Sequence, residues 1–228
     1  FTMLSHRWGI GEPLLRDIEG RRIYDLDGTE GLAKLQKFCL LSLRRGFPQA
    51  WSDTRCIDED RSAELQEAMG SMFWWYHRSS LTTAYLSNVS DTASLASRVW
   101  CKRGWTLQEL LASPTLVFYV QDWSLALNSD ANNHKTDPAM LEEVQRRPEL
   151  RCCTSKHFCP GSAGLDRASS MRMDDARSRL SYYPPEDVAY SLFGIFKVYL
   201  RSAENALGRL LVEIISQSGD ISVLNWVG

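Results

Sequence analysis

The stretch Arg103-Gly104-Trp105-Thr106-Leu107-Gln108-Glu109-Leu110-Leu111-Ala112-Ser113-Pro114-Thr115-Leu116-Val117-Phe118-Tyr119 decides the fold class of this chain. Leu107, Leu110 and Leu111 recur on the 3.6-residue period and predict one buried helical face, with Trp105, Gln108, Glu109 and Ala112 turned outward on the other side. Ser113-Pro114 ends that helix, because a residue before proline is pushed out of the helical region. Residues 115–119 then read as a buried strand, rich in β-branched and aromatic side chains. A helix feeding directly into a buried strand is the repeating unit of a parallel α/β sheet.

Outward from that unit the same alternation continues. Residues 2–5 read as a short apolar strand leading into Ser5-His6-Arg7-Trp8-Gly9. Leu32, Leu35, Cys39 and Leu43 fall at helical spacing across 29–45, with Lys34, Lys37 and Arg44 outside and Gly46 and Pro48 as the stop. Residues 49–54 are a strand ending near Asp53. A helix from Ser62 carries Leu65, Ala68, Met69, Met72, Phe73 and Tyr76 as its core stripe, and 81–89 is a third strand and its exit. The pattern predicts an α/β fold: a doubly wound parallel sheet, flavodoxin-like in order, with flanking helices and a C-terminal helical extension. Residues 1–126 form the core, 127–180 an irregular insertion or lid, and 181–228 two helices plus a closing strand at 221–226 packed on the same domain. In such sheets ligands bind beyond the carboxyl ends of the strands, so Ser5 to Gly9, Asp53, Ser87, Asp122 and the Trp105–Glu109 turn are expected to converge on one cleft.

Composition narrows the function classes. With 26 basic and 28 acidic residues and a net charge of −2, no overall field draws the chain to nucleic acid or an anionic membrane. No apolar run is long enough to span a bilayer, and no secretory pattern opens the chain, so a cytoplasmic location is expected. The opening Phe1-Thr2-Met3-Leu4-Ser5 reads as a domain taken from a longer protein. Six irregularly spaced cysteines in a chain of 228 residues favour free thiols.

Glu109 has two readings. Thr106-x-x-Glu109 is a Ser/Thr-x-x-Glu capping box, which would turn the carboxylate back on its own backbone; alternatively the carboxylate serves chemistry beside Trp105. His6 and Arg7, at a strand exit, either meet phosphates or cap the sheet. Arg98, Lys102 and Arg103 either attract an anionic ligand or form a solvated face. Asp53 binds a hydroxyl or caps its loop. Gly9-x-Gly11 lacks the third glycine of a dinucleotide fingerprint. Cys152-Cys153-x-x-x-His157-x-Cys159 departs from paired zinc spacing, and Cys56 with His6 lacks any hydrolase signature, so no metal is expected.

Three blocks together, Leu4-Ser5-His6-Arg7-Trp8-Gly9, Trp51-Ser52-Asp53-Thr54-Arg55-Cys56-Ile57-Asp58 and Arg103-Gly104-Trp105-Thr106-Leu107-Gln108-Glu109, resemble the HET domain of fungal heterokaryon-incompatibility proteins. Glu186-Asp187-Val188-Ala189-Tyr190-Ser191-Leu192-Phe193-Gly194 resembles it too. The chain departs where the family usually carries a Tyr-Gly-Glu-Gly-Glu type turn, since Tyr199-Leu200-Arg201-Ser202-Ala203-Glu204 stands there. Trp105-Thr106-Leu107-Gln108-Glu109-Leu110 is also similar to the Trp-Cys-x-x-Glu-Leu turn of TIR domains, and Leu4-Ser5-His6-Arg7 to their first strand exit.

The resemblance implies a TIR-like sheet and a part in regulated cell death on non-self recognition. It further implies cleavage of the nicotinamide–ribose bond of NAD as substrate, with Glu109 catalytic and Ser5, His6, Arg7, Trp8, Asp53 and Trp105 binding, after self-association. The alternative it leaves open is a non-enzymatic assembly or adaptor module.

Overall fold

Strand β1, Thr2–His6, is the hub of the molecule, described by a computed structural model over residues 1–9, 11–58, 60–87, 103–126, 131–139, 142, 185–196, 198, 205–219 and 221–226. It pairs in parallel on one side with β2 (Ala50–Trp51), Thr2 opposite Ala50, and on the other with β3 (Leu81–Leu86), Ser5 opposite Ala84. β3 pairs in parallel with β4 (Leu116–Val120), giving the order β2-β1-β3-β4. This is the expected flavodoxin-like arrangement, and its strand order reverses at the β1/β3 junction.

Every residue of β1, β3 and β4 is buried, as in a sheet covered on both faces. Helix α1 (Leu15–Ile18) and a 3₁₀ turn (Ile23–Asp25) precede α2 (Glu30–Arg44), whose N-cap Thr29 hydroxyl accepts from Leu32 N. Gly46, at φ +84°, follows the end of α2. Leu35 and Phe38 of α2 cover one face of the sheet, against Leu4, Leu81, Tyr85, Val117 and Tyr119. The opposite face packs on α4 (Ser62–Arg78), α5 (Gly104–Ala112) and α6 (Pro185–Phe196), through Met72, Phe73, Tyr76, Leu107, Leu110, Leu192 and Phe193. Helix α7 (Ala206–Ser218) adds Leu210 and Ile214 to that core and ends at Gly219, φ +70°.

Three local expectations change. The 49–54 strand is two residues long, because Asp53–Cys56 turns into the short helix α3. Residues 221–226 form a 3₁₀ helix rather than a closing strand. Lys34 is not outside α2 but buried, since it falls on the core stripe Gly31, Lys34, Leu35, Phe38, spaced i, i+3, i+4, i+7.

Of the 127–180 stretch, residues 131–139 and 142 are described, and 133–135 lie against β4. Asn133 Oδ1 accepts from Leu116 N at 3.1 Å, His134 Nδ1 accepts from Phe118 N at 3.1 Å, and Lys135 Nζ donates to the last carbonyls of α5, Leu110 and Ser113. Val120 N donates to Ser124 O, so Leu116, Phe118 and Val120 all have partners for their N–H groups. The cysteine–histidine run at 152–159 and the Tyr199–Glu204 turn lie outside the described residues.

Candidate functional site

Helix α5 begins at Gly104, not at Thr106. Its N-cap is Arg103, and Thr106 lies in the first turn, its hydroxyl donating to Arg103 O at 2.8 Å. The capping box is therefore not formed. Glu109 lies deeper in the helix, 6% exposed, and its Oε2 accepts from the hydroxyl of Ser5. The outward face expected for Gln108, Glu109 and Ala112 is also buried: β1 and α6 cover it, and Gln108 is 0% exposed. Trp105 is half-buried against the same core.

Close packing holds this helix in place. A Cβ on Gly104 would stand 2.8 Å from Ser191 Oγ of α6, and one on Gly194 would stand 2.3 Å from Phe73 Cβ of α4. The two glycines allow α4, α5 and α6 to approach closely behind Glu109.

Ser5 and His6 are neighbours on a strand, so they point to opposite faces of the sheet. His6 leads to a second polar group. Its Nε2 lies 3.1 Å from Asp53 Oδ1, whose carboxylate also accepts from Trp8 Nε1 at 2.8 Å and from Thr54 N at 2.8 Å. Burial opposes ionisation of Asp53, but the His6 charge and these hydrogen bonds outweigh it and hold the carboxyl below the usual range. Beneath them Lys34 Nζ pairs with Glu12 and donates to Arg7 O at 3.1 Å; burial draws the ammonium below its ordinary value while Glu12 opposes that shift. Arg55 Nη2 is 4.0 Å from the second oxygen of Glu12.

The two groups share β1. Arg103 donates from Nη1 to the carbonyl of His6, tying the start of α5 to that strand exit. Tyr76 donates to Leu4 O at 3.1 Å, and its phenol is raised well above 10.0, first by burial and then by the charges of Glu109 and Asp53. Both carboxylates thus act on one buried phenol. Of the predicted residues, Ser5 meets Glu109, and His6, Trp8 and Asp53 meet one another; the Arg7 side chain is exposed and joins neither group.

Sequence reasoning missed Glu12, Lys34 and Arg55, although a lysine on the core stripe of α2 was a readable signal. Among the described residues no group of three His, Cys, Asp or Glu side chains is placed to hold a metal ion. A shallow depression lined by Leu14, Leu15, Arg16, Ile57, Asp58 and Asp60 lies beside α1, and neither Asp53 nor Glu109 lines it.

A doubly wound parallel sheet with a carboxylate at its switch point defines the class of domain. Residues 1–98 match the family model described as heterokaryon incompatibility protein (HET). The chain is also 34% identical, over 246 aligned positions and 98% of its length, to vegetative incompatibility protein HET-E-1 of Podospora anserina. Residues 1–98 therefore carry a match to the HET family, and the chain along nearly its whole length is similar to an incompatibility protein. It spans 17% of the length of that relative. No solved structure matches it.

Proposed function

We propose that this HET-like domain serves heterokaryon incompatibility as a cytoplasmic cell-death effector that cleaves the nicotinamide–ribose bond of NAD. The observation that carries the reading is the release of Glu109 from helix capping and its retention on Ser5 at the sheet's switch point. Breaking that bond generates positive charge on the ribose, which a carboxylate stabilises, and nicotinamide departs without need of a strong acid. In this reading Glu109 faces the ribose and Ser5 orients the carboxylate. Trp8 and Trp105 form aromatic walls, while His6, Arg7 and Asp53 lie on the phosphate side. Self-association completes the cleft, as the TIR resemblance implies.

A second reading, the assembly module, is favoured by the low exposure of Glu109, since the Ser5 bond also serves as a buried lock between β1 and α5. NAD turnover by the concentrated or artificially clustered domain separates the two. Wild type is expected to release nicotinamide, and Glu109→Gln, which can still accept from Ser5, is expected to lose at least about a hundredfold of that rate. Equal silence from both, with clustering verified, selects the assembly module.

A further inference from the structure

The Arg55 side chain is 4% exposed, yet among the described residues no acceptor lies within hydrogen-bond distance of its Nε or Nη1, and its nearest carboxylate oxygen is 4.0 Å from Nη2. Three of the four carboxylate oxygens beside it are already engaged. Glu12 Oε1 accepts from Lys34 Nζ and from Gly9 N at 3.0 Å. Asp53 Oδ1 takes His6 and Thr54, and its Oδ2 takes Trp8. Only Glu12 Oε2 is left to face the guanidinium, 4.0 Å from Nη2. His6 Nδ1 is likewise without a hydrogen-bond partner, 3.9 Å from Glu12 Oε1, so Arg55 and His6 flank the same carboxylate.

Two cations (Lys34, Arg55) stand against two carboxylates (Glu12, Asp53), and Nε and Nη1 of Arg55 and Nδ1 of His6 lack hydrogen-bond partners. A buried guanidinium whose Nε and Nη1 lack acceptors is strongly disfavoured, and an oxyanion with several acceptor oxygens satisfies such a donor set. We propose that Arg55 and His6 form a binding site for a phosphate-class anion, on the face of β1 opposite Glu109. The anion is either free or the phosphate of a nucleotide. The site rests on the proposed function only through His6, and it draws on neither Glu109 nor Ser5.

The test is titration of the chain with inorganic pyrophosphate, read by phosphorus NMR line broadening and by Tm at matched ionic strength. Saturable binding and a Tm rise beyond that given by chloride are expected. Arg55→Gln should weaken binding at least about tenfold while Glu109→Gln leaves it unchanged. Circular dichroism checks the fold, and Arg55→Lys, which keeps the charge but not the planar fork, should also weaken binding. If wild type responds to pyrophosphate no more than to chloride, the site is refuted whatever the variants do. Binding that survives in folded Arg55→Gln, or falls in Glu109→Gln, refutes the assignment to this face. Displacement of pyrophosphate by NAD supports the site with a nucleotide phosphate as its anion, and simultaneous binding supports it with a free one. Loss of NAD turnover alone touches neither result.

Discussion

Ser5 and His6 are adjacent in the chain, yet the polar groups they serve are built on different physics. On the Ser5 face a carboxylate reaches β1 through one hydroxyl, surrounded by the apolar side chains of α4, α5 and α6. On the His6 face Glu12, Lys34, Asp53 and Arg55 gather beside α2 and α3. The period-two alternation of a strand keeps these environments apart at one strand end. In the second group every charge depends on its neighbours.

Substitution of the two glutamates gives the largest contrast. Glu12→Gln leaves Lys34 and Arg55 without their compensating carboxylate, and should lower unfolding free energy by about 3–5 kcal/mol. Glu109→Gln preserves an acceptor for Ser5 and should change stability by less than about 1 kcal/mol, both read from urea denaturation. Comparable losses would break the distinction between the faces. Gly194→Ala tests the packing behind Glu109: the added methyl meets Phe73, and a loss of about 1–3 kcal/mol is expected.

Acid titration sharpens the comparison further. Asp53 titrates lower in the folded chain than in the unfolded one. Its stabilisation is therefore complete above about pH 4 and is lost as the pH falls through the folded-state value. Asp53→Asn should flatten the acid limb of a stability–pH profile while leaving its shape above pH 5, about one unit clear of the carboxyl range, unchanged. The smallest effect belongs to Arg16–Asp60, a surface pair outside both groups with side chains 62% and 70% exposed. Arg16→Ala should alter stability by no more than about 0.5 kcal/mol.

Much of the sheet was legible in the sequence because β4 is a continuous apolar run and the long helices carry regular stripes. The Ser62–Arg78 helix follows its predicted face through Ala68, Met72, Phe73 and Tyr76. Less legible was anything depending on which side chain reaches across the sheet. Thr106-x-x-Glu109 satisfies the spacing of a capping box, and only the start of α5 at Gly104 shows that the box is not formed. The burial of Gln108 and Glu109 follows from contact with β1 and α6, which helical period alone cannot supply. Arg55 was invisible because a basic residue in a short loop ordinarily points to water.

The backbone donors of Leu116, Phe118 and Val120 are occupied by Asn133, His134 and Ser124. A sheet margin sealed in this way offers no ladder on which a foreign strand could grow. Growth of an ordered polymer by strand addition is closed along β4, so copies of this domain that stack must meet there through side chains.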